Sequence, residues 1–96
     1  IRRMRTGVLL VDREAQISLA NEAAMLLLGE GAAGTRNLAE AAPELALRLS
    51  EWLRNGLAND TPLRLGSDQF EVVPRFARLL ANSDNTLIFL DDTSLV

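Results

Sequence analysis

The 96-residue sequence predicts an α+β domain, with short helices packed on one face of a five-stranded antiparallel sheet. Three observations carry this. Apolar residues alternate with period two near both ends of the chain, they recur at helical spacing through its middle, and turn-forming Gly, Asn and Asp residues separate the strand-like runs. Hydrophobic residues make up 48% of the chain, which supplies one modest core and argues against disorder. A chain of this length holds a single domain.

The first strand runs from Val8 to Asp12, and the second from Gln16 to Ala20 with Ile17 and Leu19 in alternation. They form a hairpin that turns at Asp12-Arg13-Glu14-Ala15. Asn21 is placed as an N-cap for a helix over Glu22 to Leu28, with Ala24, Leu27 and Leu28 on one face and Gly29 as its stop. Residues 29–37 read as a flexible connector. Their glycines match no phosphate-binding loop, because no Lys or Ser/Thr follows at the required spacing. Leu38 to Ala42 makes one helical turn, and Pro43 opens a longer helix with Glu44 beside it. Leu45, Leu49, Trp52, Leu53 and Leu57 form its apolar stripe, opposite Glu44, Arg48, Glu51 and Arg54, and Asn55-Gly56 ends it.

From Pro62 the period returns to two. Leu63 and Leu65 flank Arg64, Gly66-Ser67-Asp68 turns the chain, and Phe70, Val72, Pro74 and Phe76 share one face of the next strand. A turn at Asn82 to Asn85 leads into Thr86 to Leu90, which is apolar on both parities and reads as buried on both faces. Pro74 cannot donate to a ladder, so a bulge or an unpaired edge is expected there. The predicted order is ββααα(α)βββ.

Composition narrows the function. The chain has no Cys, His, Lys or Tyr. That removes thiolate and Schiff-base chemistry, the commonest general base, the usual haem ligand and the phosphoacceptor of a histidine kinase. The remaining acid-base groups are carboxylates, and no pair of them sits in an apolar setting, so this domain is not expected to be an enzyme. A net charge of −3 without a basic stripe beyond Arg2, Arg3 and Arg5 makes nucleic acid a poor partner. No apolar run approaches the length of a membrane span.

Against this background the segment Gly7-Val8-Leu9-Leu10-Val11-Asp12, then Ile17, then Ala20-Asn21-Glu22-Ala23-Ala24 and Leu27-Leu28-Gly29, resembles the opening of a PAS domain in a bacterial sensor histidine kinase. Asp91-Asp92-Thr93 resembles the Asp-x-Thr signature with which such domains hand over to a helical linker. Phe70 to Phe76, Thr86 to Val96 and Arg3 to Gly7 are similar to the narrower PilS group, the sensor kinases of type IV pilus regulation. PAS hairpins place Gly or Asn where this chain has Ala15, and an alanine there is expected to avoid positive φ.

The resemblance implies a single PAS domain over residues 1–96 of a larger kinase, with residues 1–6 ending an upstream linker and 94–96 starting a downstream helical one. It implies a cytoplasmic sensing, relay and dimerisation module of an inner-membrane kinase that phosphorylates an NtrC-type response regulator. ATP and Mg belong to the parent's kinase domain. No haem or flavin is expected in this domain. The alternative is a PAS sensor for a small hydrophobic ligand in another signalling protein, a nitrogen-type kinase or a cyclase.

Asp91 and Thr93 are the relay candidates, with the Asp91 carboxylate accepting from the residue two positions on to cap the outgoing helix. Gly7, Asp12, Asn21 and Gly29 carry the structural motif. Leu45, Leu49, Trp52, Phe70, Val72 and Ile88 either line a pocket or fill the core, and the filled core is the preferred reading. Arg75 and Arg78 are the cations an anionic metabolite would need, although solvent exposure explains them as well. A homodimer is expected, using an N-terminal helix near Ile1 or the exposed sheet face.

Overall fold

The computed structural model describes residues 6–93. Of the linker segments expected at residues 1–6 and 94–96, all but Thr6, and with them Arg2, Arg3, Arg5 and the helix near Ile1, lie outside the described residues. Five strands, β1 (Gly7–Val11), β2 (Ile17–Ala20), β3 (Leu63–Leu65), β4 (Phe70–Arg78) and β5 (Thr86–Asp92), form one antiparallel sheet in the order β2-β1-β5-β4-β3. Between β2 and β3 come α1 (Glu22–Leu28), a 3-10 helix (Gly29–Ala32), α2 (Leu38–Ala41) and α3 (Pro43–Asn55). The arrangement is α+β and consistent with a PAS-like fold.

Strand alternation explains the layering. Leu9 and Val11 of β1, Ile88 and Leu90 of β5, Val72 of β4 and Leu63 and Leu65 of β3 face one way and are buried. Ala24, Leu27 and Leu28 of α1, Leu38 of α2, and Leu45 and Leu49 of α3 cover them. Each such leucine withdrawn from water contributes about 1.5–3 kcal/mol. Small residues let the short helices come close. A Cβ on Gly7 would sit 3.1 Å from the Ala24 Cα, so α1 rests directly on β1.

The opposite sheet face has no helix on it among the described residues. Thr86 to Leu90 is therefore buried on one parity only, while Leu87 and Phe89 stay half-buried. With Val8, Leu10 and the 67% exposed Leu19 they form an apolar outer face. The apolar stripe of α3 is also narrower than expected. Leu45 and Leu49 are buried and Trp52 is half-buried, but Leu53 lies a further 100° around the helix and is exposed. Leu57 falls beyond Gly56, which ends α3 at φ 70° with its N–H on the Trp52 carbonyl.

Three local expectations meet physical detail. Ala15 adopts φ 60° against the expected negative value. The Asp12 Oδ1 accepts the amides of Glu14 and Gln16, the Asp12 amide donates to the Gln16 carbonyl and the Ala15 amide to the Asp12 carbonyl, so the tight hairpin dictates the backbone. These bonds outweigh a left-handed cost of about 1–2 kcal/mol. The Gly-rich stretch expected to be a flexible connector is ordered instead. It closes as the 3-10 helix, and Arg36 and Leu38 then bond along the free edge of β2, with Ile17 N–H on the Arg36 carbonyl at 2.7 Å and Leu38 N–H on the Ala15 carbonyl at 2.9 Å.

Pro74 takes the second of its two expected forms. The β4–β5 register runs unbroken from Val72 to Arg78, so there is no bulge. Thr93 donates its amide to the Glu71 carbonyl, which makes the odd-numbered residues of β4 the ones bonded to β5. The missing donor of Pro74 therefore points toward β3, and β3 has already ended at the Leu63–Val72 pair.

Candidate functional site

The strand order brings the first and the last strand together. β5 lies between β1 and β4, and the register pairs Gly7 with Leu90, so Thr6 and Asp91 come next to one another on the outer face. The Thr6 hydroxyl donates to Asp91 Oδ1 at 3.2 Å. From β4, Arg75 reaches diagonally across to the same carboxylate, with Nε 2.8 Å from Oδ2 and Nη2 3.5 Å from Oδ1. Its guanidinium carbon stands 5.2 Å from the centre of the Phe89 ring, the residue opposite it in the register. The hydrogen bond to Asp91, and then the charge of that carboxylate, hold the Arg75 pKa above its ordinary value. The pair is exposed and therefore open to screening by salt.

Thr93 behaves differently from the expected cap. Its amide donates to the Glu71 carbonyl at 2.9 Å and its hydroxyl to Glu71 Oε2 at 3.0 Å. Glu71 in turn lies 3.8 Å from Arg64. A carboxylate bonds a residue two positions on only where the chain turns, whereas β5 stays extended through Asp92 and points Asp91 and Thr93 at separate partners on β4. The two signature residues thus fasten the exit of β5 at two points.

At the other end of the motif, Asn21 caps α1 through Oδ1, which accepts the Ala24 amide at 2.9 Å. The same oxygen accepts the Val8 amide at 2.9 Å, and Nδ2 donates to the Thr6 carbonyl at 3.0 Å. Asn21 therefore belongs to the same cluster as Thr6 and Asp91. Asp12 does not, since it sits past the far end of β1 and organises the hairpin. Gly29 ends α1 at φ 66° with its N–H on the Met25 carbonyl, also far along the chain from Asp91.

The pocket candidates divide by depth. Leu45, Leu49, Val72 and Ile88 belong to the buried core, with Trp52 and Phe70 half-buried against it. Trp52 stacks near Phe76 at 5.7 Å between ring centres, and the Arg78 guanidinium carbon lies 5.8 Å from the Trp52 ring. Arg75 and Arg78 have opposite parity on β4 and leave opposite faces of the sheet, so they do not converge on one anion. Among the described residues no group of three His, Cys, Asp or Glu is placed to hold a metal ion, and no helix is long and apolar enough to cross a membrane.

The sequence reading missed Thr6, Arg75 as the partner of Asp91, and Glu71 as the partner of Thr93. A signal for the last two exists only once the β4–β5 register is known.

No protein-family model matches the chain. Its full length is 35% identical, over 97 residues, to the sensor protein kinase PilS of Pseudomonas aeruginosa. The chain spans 18% of the length of that relative.

Proposed function

We propose, from the premise that this chain is a sensor-kinase domain related to PilS, that it is the sensing, relay and dimerisation module of a membrane-bound protein-histidine kinase. In this reading the parent uses ATP and Mg to phosphorylate a histidine outside these residues, and passes the phosphate to an NtrC-type response regulator that controls type IV pilus transcription. The module itself lies on the cytoplasmic side, carries no haem or flavin and catalyses nothing. Its task is to change the strain on the segments that leave it.

The observation that carries the reading is the convergence of Thr6 and Arg75 on Asp91, which joins the strand that begins the domain to the strand that ends it. Asp91 and Thr93 are then the residues through which a rearrangement of the domain reaches the next segment. The half-buried outer face around Phe89, Leu87, Leu10 and Val8 is the surface for the homodimer. The test is phosphorylation of the full-length parent with labelled ATP. It should acquire an acid-labile, base-stable phosphate and transfer it to a response regulator, and Asp91→Ala or Thr93→Ala should change the extent of labelling. A parent that takes no label, or variants that label like the wild type, would remove the kinase or the relay claim respectively.

A further inference from the structure

Asp91 and Asn21 lie on different layers of the domain, one on the outer sheet face and the other at the start of a helix that covers the inner face. Thr6 is hydrogen-bonded to both. The Thr6 carbonyl accepts from Asn21 Nδ2 at 3.0 Å while the Thr6 hydroxyl donates to Asp91 Oδ1 at 3.2 Å. Asn21 is itself fastened on three further sides. Its Oδ1 holds the amides of Val8 and Ala24, its own amide donates to the Val8 carbonyl, and its carbonyl accepts from Met25.

We infer that Thr6 is a positioning residue that couples the N-terminus of α1 to the exit end of β5. This rests on the relay reading given above and identifies how a change in the helical layer reaches Asp91. The geometry supplies the reason. Asn21 cannot move with α1 without pulling on the Thr6 carbonyl, because the same side chain caps that helix. Thr6 lies just before the β1–β5 ladder, which begins at Gly7, so its side chain meets Asp91 at the open end of that ladder while its carbonyl is held by Asn21 Nδ2. A displacement of Thr6 with Asn21 lengthens the hydroxyl bond to Asp91. Asp91 then rests on Arg75 alone, whose Nε lies 2.8 Å from Oδ2. The two arrangements differ in what restrains the exit carboxylate, Thr6 together with Arg75 of β4 or Arg75 by itself.

The competing account is that Thr6 merely ends a strand. Two substitutions separate them. Asn21→Ser keeps an N-cap oxygen for α1 but loses the donor to Thr6, and Thr6→Val keeps the shape of the side chain but loses the donor to Asp91. The probe is amide hydrogen exchange at Thr93, whose N–H is bonded to the Glu71 carbonyl. Coupling predicts that Asn21→Ser speeds exchange at Thr93 by about threefold or more, and that the same substitution made in Thr6→Val has no further effect there. Thr6→Ser should restore the response. Exchange confined to α1 and β1 in Asn21→Ser, or an equal increment with and without the Thr6 hydroxyl, would overturn the inference.

Labelling of the full-length parent keeps this separate from the relay reading. If Asp91→Ala and Thr93→Ala leave phosphorylation unchanged, the relay itself falls. If they alter it and Thr6→Val does not, only the role of Thr6 falls. Circular dichroism of each variant establishes that it folds, and a variant that does not fold is replaced by Thr6→Ala or Asn21→Asp, which remove the same donors.

Discussion

Replacing Gly66 by alanine measures how closely the sheet and the helical layer are fitted. Gly66 opens the β3–β4 turn at φ 72°. A Cβ at that position would lie 2.7 Å from the Leu27 carbonyl oxygen and 3.3 Å from that of Leu28, at the C-terminal end of α1. The left-handed backbone costs an alanine about 1–2 kcal/mol. The contact adds about 1–3 kcal/mol, because a backbone carbonyl does not swing aside as the tip of a side chain does. The reduced freedom of the unfolded alanine chain returns about 0.4–1 kcal/mol. The expected net loss is about 2–4 kcal/mol. Gly56→Ala is the matched control, since Gly56 has φ 70° and nothing within 4 Å of the added Cβ. It should cost about 1 kcal/mol. Urea unfolding followed by the fluorescence of the sole tryptophan, Trp52, reads both. At a slope of about 1.5 kcal/mol/M the midpoint should fall by about 1.3–2.7 M for Gly66→Ala and by less than about 1 M for Gly56→Ala. Equal losses at the two sites would refute the close approach and leave backbone strain as the whole explanation.

At the β1–β2 hairpin, Ala15→Gly should raise stability by up to about 0.5 kcal/mol, while the β-branched Ala15→Val should lower it by about 1–2 kcal/mol, as read by thermal melts. Leu45 is fully buried, so Leu45→Ala should cost about 2–5 kcal/mol. Stabilisation of the wild-type domain itself by a hydrophobic ligand series, lost in Leu45→Ala, would reassign Leu45 to a pocket wall. Arg75→Met keeps the length of the side chain and removes the charged partner of Asp91. Its difference in unfolding midpoint from the wild type should shrink as NaCl rises from about 0.05 to 0.5 M, and a difference independent of salt would mean that packing on Phe89 matters more than charge.

The elements were legible in the sequence because local signals mark their ends. Asn21 caps α1, Pro43 opens α3, Gly56 closes it, and strand alternation names Leu63, Leu65 and Val72 as inward-facing. What could not be read is whatever depends on how the strands are ordered. Ala15 was misjudged because its backbone is dictated by bonds from Asp12 and by the approach of Leu38, which is distant in sequence. The connector at residues 29–37 looked flexible because glycine permits many conformations, yet a Cβ on Gly31 would sit 2.9 Å from the Ala41 carbonyl oxygen, so there glycine serves close packing. The residues proposed for the relay divide in the same way. Asp91 and Thr93 stand out as a motif, whereas their partners Thr6, Arg75 and Glu71 lie 85, 16 and 22 residues away and are brought near by register.

Under the proposed relay, that register also limits how a signal can travel. β1 and β5 are neighbours in the middle of the sheet, paired without interruption from Gly7–Leu90 to Val11–Thr86. A slip of β1 by one residue along β5 would turn Leu9 and Val11 from the core toward the outer face. With each of these side chains contributing about 1.5–3 kcal/mol, such a slip costs about 3–6 kcal/mol, a large part of the stability of a small domain. Loss of the Thr6–Asp91 hydrogen bond costs only about 0.5–1.5 kcal/mol. A ligand or a partner with ordinary differential affinity supplies the second amount and not the first. In the relay reading the ladder is therefore a fixed frame, and the part that switches is its end, where Asp91 holds Arg75 of β4 and Thr6, which leads into β1.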